Sequence, residues 1–116
     1  MRPLEGVKVL DFSHGVAGPF GTMLLADLGA DVVKIEKPGR GDVSRFMNMS
    51  ARFGKDIPRS GGDYFLTVNR GKRCLALDLA VPEGQAIALN LGKWADLVVQ
   101  SFRPGAARHV SRLCAP

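Results

Sequence analysis

The chain has 116 residues, 46% of them hydrophobic and 23% charged, and carries a net charge of +5. Those proportions are ordinary for one globular domain and exclude wholesale disorder. No apolar run approaches the roughly 18 residues of a membrane span, and the first residues lack a signal-peptide core, so neither secretion nor membrane insertion is expected.

Elements follow in chain order. Val7–Phe12, rich in β-formers, predicts a short buried strand. The small-residue turn Ser13-His14-Gly15-Val16-Ala17-Gly18 leads to Pro19, which suits a helix's first turn. Phe20, Leu24 and Leu28, with Met23, mark an apolar helical face, and Gly29 is a natural stop. Asp31–Glu36 is the next strand, which makes a right-handed parallel strand–helix–strand unit. Residues 37–62 have no sustained period, and Tyr64–Val68 fits either a short helix or a strand. Arg73–Leu79 predicts a third strand, and Pro82 opens a helix with Ile87, Leu91 and Trp94 on one face. Asp96–Gln100 is a fourth strand, and Arg103-Pro104-Gly105 turns away from it. The predicted class is α/β, with helices on a mostly parallel sheet. The four-strand sheet looks incomplete, and residues 106–116 show no convincing element. An exposed sheet edge and uncovered helix faces predict poor solubility or self-association.

Charge is unevenly placed. Residues 34–73 hold ten basic and four acidic side chains, a balance of +6, against −1 for the remainder. Such a region attracts anions without selecting among them. The cations singled out within it are Lys34, Lys37, Arg40, Arg45, Arg70, Lys72 and Arg73, and half or more of such residues are ordinarily plain solvated surface. Nucleic-acid binding would want exposed aromatics at a recognisable spacing, which Phe46, Phe53, Tyr64 and Phe65 do not provide.

The turn after the first strand lies where open α/β sheets bind ligands. Its glycines, Gly15, Gly18 and Gly21, are spaced G-x-x-G-x-x-G rather than G-x-G-x-x-G, although Glu36 occupies the place of the ribose-binding acid. The spacing and Pro19 argue against dinucleotide binding, and a tight turn with close helix packing is the plainer reading. Asp11, Ser13 and His14 have the residue types of a hydrolytic triad, but alternation along an extended chain points His14 away from the other two. His14 then stands beside a ligand or in solvent. His109 is incidental, and two histidines make no metal site. Cys74 and Cys114 are expected to be reduced cytoplasmic thiols, with Cys74 a small core residue.

Several motifs, in order, carry a resemblance. They are Leu4–Ser13, Ala17-Gly18-Pro19, Leu25–Pro38, Gly41-Asp42 with Arg45, Asn69–Arg73, Leu77-Asp78-Leu79, Pro82-Glu83-Gly84 and Ser101–Gly105. This series resembles the amino-terminal segment of the class III (CaiB/BaiF-type) CoA-transferases, which include formyl-CoA, carnitine and succinyl-CoA transferases and the related α-methylacyl-CoA racemases. The resemblance implies a Rossmann-like large domain, of which residues 1–105 would form the CoA-binding first part and 106–116 a tail outside the family pattern. It implies that His14, Gly15, Val16, Ala17, Lys37, Leu77, Asp78, Leu79, Ala80, Ser101, Phe102 and Arg103 line the CoA site, with Arg108 as a further phosphate contact. Lys37 stands where an arginine is frequent, keeping the charge but losing the bidentate fork.

The same resemblance implies an acyl-CoA and a carboxylic acid as substrates, no permanently bound cofactor, a homodimer in the full-length family, and no nucleic-acid or membrane partner. Family members are several times longer, and their catalytic aspartate aligns with none of Asp11, Asp27, Asp31, Asp42 or Asp78. No catalytic residue is therefore expected in this chain. A truncated or frameshifted reading frame, inactive alone, is the expectation; a non-catalytic CoA-binding module and a racemase-type fragment are the alternatives.

Overall fold

The computed structural model describes residues 1–47 and 62–104. Four strands, β1 (Lys8–Asp11), β2 (Asp31–Glu36), β3 (Arg73–Ala76) and β4 (Leu97–Val99), form one parallel sheet in the order β3-β2-β1-β4. Three α-helices accompany it: α1 (Ala17–Asp27), α2 (Asp63–Asn69) and α3 (Pro82–Trp94). A 3-10 turn covers Val43–Phe46. The expected α/β class with flanking helices is what the chain forms. Residues 64–68 belong to a helix, α2.

Local chemistry explains the boundaries. After α1, the Gly29 N–H donates to Ala26 and the Ala30 N–H to Leu25, the two bonds of a Schellman cap. Gly29 sits at φ 106°, where a side chain would be strained, so the helix stops there. Pro82 opens α3, with Glu83 in its first turn near the positive dipole end.

Register aligns Val9 with Val32 and Leu10 with Val33. Since successive side chains alternate, the two pairs face opposite ways. Val9 and Val32 pack with Ala26 of α1 and with Ala30, whereas Leu10, Phe12, Val33 and Ile35 pack with Leu77 and with Ala88 of α3. Two side chains depart from expectation. Ile87, placed on the core face of α3 by periodicity, is exposed, and Ala88 is buried instead. Cys74 is exposed rather than core, because β3 is an edge strand with every residue exposed.

The apolar stripe of α1 faces away from the sheet: Phe20, Leu24 and Leu28 are 48%, 44% and 45% exposed, while Pro19, Thr22, Met23 and Ala26 are buried. No described helix is long and apolar enough to cross a membrane.

The order in which strands are added reverses between β1 and β4, all four staying parallel. From β1 the strands step outward to β2 and β3, then α3 returns the chain to β1's other side. Connections leaving β1 and β4 therefore diverge and open a crevice at the carboxyl ends of the strands, the usual ligand position in open α/β sheets.

Candidate functional site

At those carboxyl ends lies a cavity of about 240 Å³. It is lined by Phe12 and His14 after β1, Ile35, Glu36 and Lys37 at the end of β2, Leu77, Asp78, Leu79 and Ala80 after β3, and Phe102 after β4. Every strand thus contributes a carboxyl-end segment. The lining is mostly apolar, with Lys37 and His14 among its polar groups. This volume is below the roughly 300–1,000 Å³ of a drug-sized ligand pocket, so it fits one moiety of a larger molecule. An adjoining cavity of about 370 Å³ shares Glu36 and Lys37 and adds Arg40, Gly41, Arg45 and Cys74.

The residues singled out from sequence fall into three groups. His14, Lys37, Leu77, Asp78, Leu79, Ala80 and Phe102 come together on the cavity wall. Gly15, Val16, Ala17, Ser101 and Arg103 do not line it, although Ser101 Oγ accepts the His14 N–H at 3.1 Å and so joins the β1 and β4 loops. Arg108, His109, Cys114 and the 106–116 tail lie outside the described residues. Phe12, Ile35 and Glu36 line the cavity as well. Their positions at the ends of β1 and β2 carried that signal, since those ends are where the crevice opens.

Beneath the cavity, on the α1 side of the sheet, lies a layer of buried charge. Asp11 Oδ2 accepts from Lys72 Nζ at 3.0 Å and from Thr22 Oγ1 at 2.5 Å, and Asp11 Oδ1 accepts from the Ser13 N–H and hydroxyl. Burial raises the Asp11 pKa, but the Ser13 and Thr22 donors and the two ammonium groups outweigh it and hold it below the ordinary value. Burial lowers the Lys72 pKa against the pull of Asp11. With Asp11, the Pro19 carbonyl and Asn69 Oδ1 all within 3.0 Å of Nζ, each of the three ammonium hydrogens has an acceptor.

Lys34, wholly buried in β2, donates to the Ser13 carbonyl at 2.7 Å and forms an ion pair with Asp42 Oδ2 at 2.8 Å. Asp42 Oδ1 accepts from the Ser44 N–H at 2.8 Å, the Ser44 hydroxyl at 2.7 Å and the Gly15 N–H at 3.2 Å. Burial works to raise the Asp42 pKa; His14, Lys34 and Ser44 overcome it and press it far below the carboxylate range. Glu36 is gripped by Arg45 through two bonds of 2.7 Å and accepts the Asp42 N–H at 2.9 Å. The Arg45 guanidinium also stacks 3.6 Å from the Phe65 ring centroid.

Of the seven cations singled out, Lys37, Arg40, Arg70 and Arg73 are exposed, as the surface reading expects, whereas Lys34, Arg45 and Lys72 belong to this layer. Five of the seven are paired inside the chain: Lys34 with Asp42, Arg45 with Glu36, Arg70 with Asp27, Lys72 with Asp11 and Arg73 with Asp31. Lys37 and Arg40 form no ion pair with described residues, and both line the second cavity. The layer also answers two other readings. Glu36 is committed to Arg45, which leaves it poorly placed for a ribose hydroxyl. Asp11 bonds Ser13 while His14 turns toward Asp42 and Phe102, so no triad assembles. Gly18 serves close packing, since a Cβ there would fall 2.3 Å from that of Ser13.

The cavity's carboxylates are engaged as well. Besides Glu36, Asp78 is the one carboxylate among the described residues that lines it, and Asp78 Oδ1 accepts the Ala80 N–H at 2.9 Å. Burial pushes the Cys74 thiol up, away from reactivity. Among the described residues no group of three or more His, Cys, Asp or Glu could hold a metal.

Comparison with known proteins gives this geometry its context. The chain is 42% identical over 105 residues to succinyl-CoA:glutarate CoA-transferase of Mus musculus, covering 90% of this chain and 23% of that protein. It is 43% identical over 108 residues to formyl-CoA:oxalate CoA-transferase of Escherichia coli, covering 93% and 24%. It therefore spans about a quarter of the length of these curated relatives. Among solved structures, a CAIB/BAIF family protein from Brucella suis matches with a TM-score of 0.81 at 32% identity, over 99% of this chain and 29% of that one. Rv3272 of Mycobacterium tuberculosis matches at 0.79 and 37%, over 100% and 29%. The sequence model of CoA-transferase family III matches residues 4–111, and the chain belongs to that family.

Proposed function

We propose that this chain is the CoA-binding amino-terminal portion of a family III CoA-transferase, acting in the cytoplasm on an acyl-CoA and a carboxylic acid, with the catalytic carboxylate supplied by polypeptide beyond it. The observation that carries the reading is the cavity itself: seven of its ten lining residues are ones the family resemblance assigned to CoA. Its apolar walls suit an adenine ring or the pantetheine arm. The neighbouring cations Lys37 and Arg40, which form no ion pair with described residues, suit phosphate.

Covalent transfer of CoA needs a carboxylate free to attack the thioester carbonyl. Glu36 is tied to Arg45, and Asp78 caps its own turn. Asp11 and Asp42 are buried in ion pairs, and Asp27 and Asp31 bind arginines. With both carboxylates on the described cavity wall engaged, binding without turnover is the expected behaviour of the chain alone, with residues 1–105 as the binding part, and a homodimer is proposed for the full-length protein.

Calorimetry on the 116-residue chain with CoA, desulfo-CoA and NAD tests this. Binding of CoA and desulfo-CoA with similar affinity, and weaker or no binding of NAD, is expected, since the thiol makes no contribution to a nucleotide-end site. Failure to bind CoA sinks the reading, and CoA transfer between acids by this chain alone sinks its non-catalytic half.

A further inference from the structure

The turn that carries His14 into the cavity wall is pinned at three successive backbone N–H groups, each to a side chain from a different place. Ser13 donates to Asp11 at 2.8 Å, His14 to Ser101 at 3.1 Å and Gly15 to Asp42 at 3.2 Å. Of the three acceptors Asp42 is the one that also faces the His14 side chain, with Oδ2 3.7 Å from Nδ1. That oxygen is buried and ion-paired with Lys34 Nζ at 2.8 Å, so the carboxylate stays charged beside the imidazole. A buried carboxylate is stabilised by each N–H that faces it, and the Gly15 N–H and His14 Nδ1 are the two that the turn presents.

We propose that Asp42 is a positioning residue of the candidate site, holding the His14–Gly15 turn and orienting the imidazole at the cavity wall. This rests on the reading of the cavity as the CoA site. Asp42 touches neither cavity; it acts through His14 and Gly15. It is itself rigid. Ser44 fixes Oδ1 twice, and the Asp42 N–H is held by Glu36, whose carboxylate Arg45 clamps. Gly41, at φ 72°, delivers the chain into this position, and a Cβ there would fall 2.7 Å from Glu36 Oε2 and 2.8 Å from Arg45 Cδ. The segment after β2 thus serves as a bracket for the turn after β1. With a carboxylate facing Nδ1, the neutral imidazole carries its proton there and presents Nε2 as an acceptor.

The test uses the full chain in three forms: native, Asp42→Asn, and Lys34→Met/Asp42→Asn, the double variant avoiding an unpaired buried ammonium. Imidazole ¹⁵N spectra, Gly15 amide exchange and CoA calorimetry are recorded on each. The proposal expects native His14 in the Nδ1–H tautomer. In whichever variant folds it expects loss of that preference, faster Gly15 exchange, and a CoA Kd raised by about tenfold, as for a modest misplacement of a binding group. Native His14 in the Nε2–H tautomer overturns it without any variant, and so does unchanged Gly15 exchange in a folded variant. If the native chain binds no CoA, the ligand assignment fails while the tautomer and exchange data still decide the role of Asp42.

Discussion

The two faces of one sheet are built by different physics. On the α3 side Leu10, Phe12, Val33 and Ile35 pack with Leu77 and Ala88, a contact held by burial alone. On the α1 side the same strands turn alternate residues, Asp11, Lys34 and Glu36, into a layer whose charges are met by Lys72, Asp42 and Arg45. Apolar packing tolerates small rearrangement; a buried charge is tolerable only with its partner in place. The charged face is therefore the one that fixes the geometry of the β1 and β2 loops, and those loops make the cavity.

The sharpest way to break this comparison is Lys72→Met, which leaves Asp11 buried and unpaired. It should cost about 3–5 kcal/mol in urea unfolding, as removal of one partner of a buried pair does, and a loss under about 1 kcal/mol would show the pair to be dispensable. Leu10→Ala, on the opposite face, should cost about 2–5 kcal/mol through cavity formation, and unlike the first its cost should not vary between pH 7 and 4.

Acid separates the faces further. Asp11, Glu36 and Asp42 all have folded pKa values below their ordinary ones. The stability they contribute is complete above the unfolded carboxylate value of about 4 and is lost as pH falls from there toward the folded values. The urea midpoint of the native chain should drop through that window, and less steeply for Lys34→Met/Asp42→Asn; a flat profile would contradict the account. Gly41→Ala should cost about 1–3 kcal/mol because its φ is left-handed and its Cβ would wedge the Glu36–Arg45 fork. Arg73→Ala, which removes the exposed Asp31 pair and a 5.9 Å contact with the Trp94 ring, should cost less than about 1 kcal/mol, decreasing further in salt.

Much of this was legible along the chain. Strands β1 and β2 follow from their β-branched runs, the end of α1 from Gly29, and the cavity wall from the resemblance at Leu77–Ala80 and Phe102. Five residues were too few to type Tyr64–Val68. The third strand was expected to reach Leu79 but its ladder ends at Ala76, because Leu77–Ala80 leave it to line the cavity. Cys74 looked buried because alternation describes a strand with neighbours on both sides, and β3 has one.

The buried charge layer stayed hidden for a different reason: Lys72 finds Asp11 across 61 residues, a pairing no local pattern encodes. One clue was present. Lys34 sits two residues from Val32 and two from Glu36, on a face whose period marks it as inward, so its ammonium needed an internal partner.

The most direct measurement is a titration of CoA into the ¹⁵N-labelled 116-residue chain, followed residue by residue. The account predicts saturable shifts at His14, Lys37, Leu77–Ala80 and Phe102, with the exposed α1 residues Phe20, Leu24 and Leu28 unmoved. Saturation without shifts along the cavity wall, or shifts centred on another surface, would contradict it.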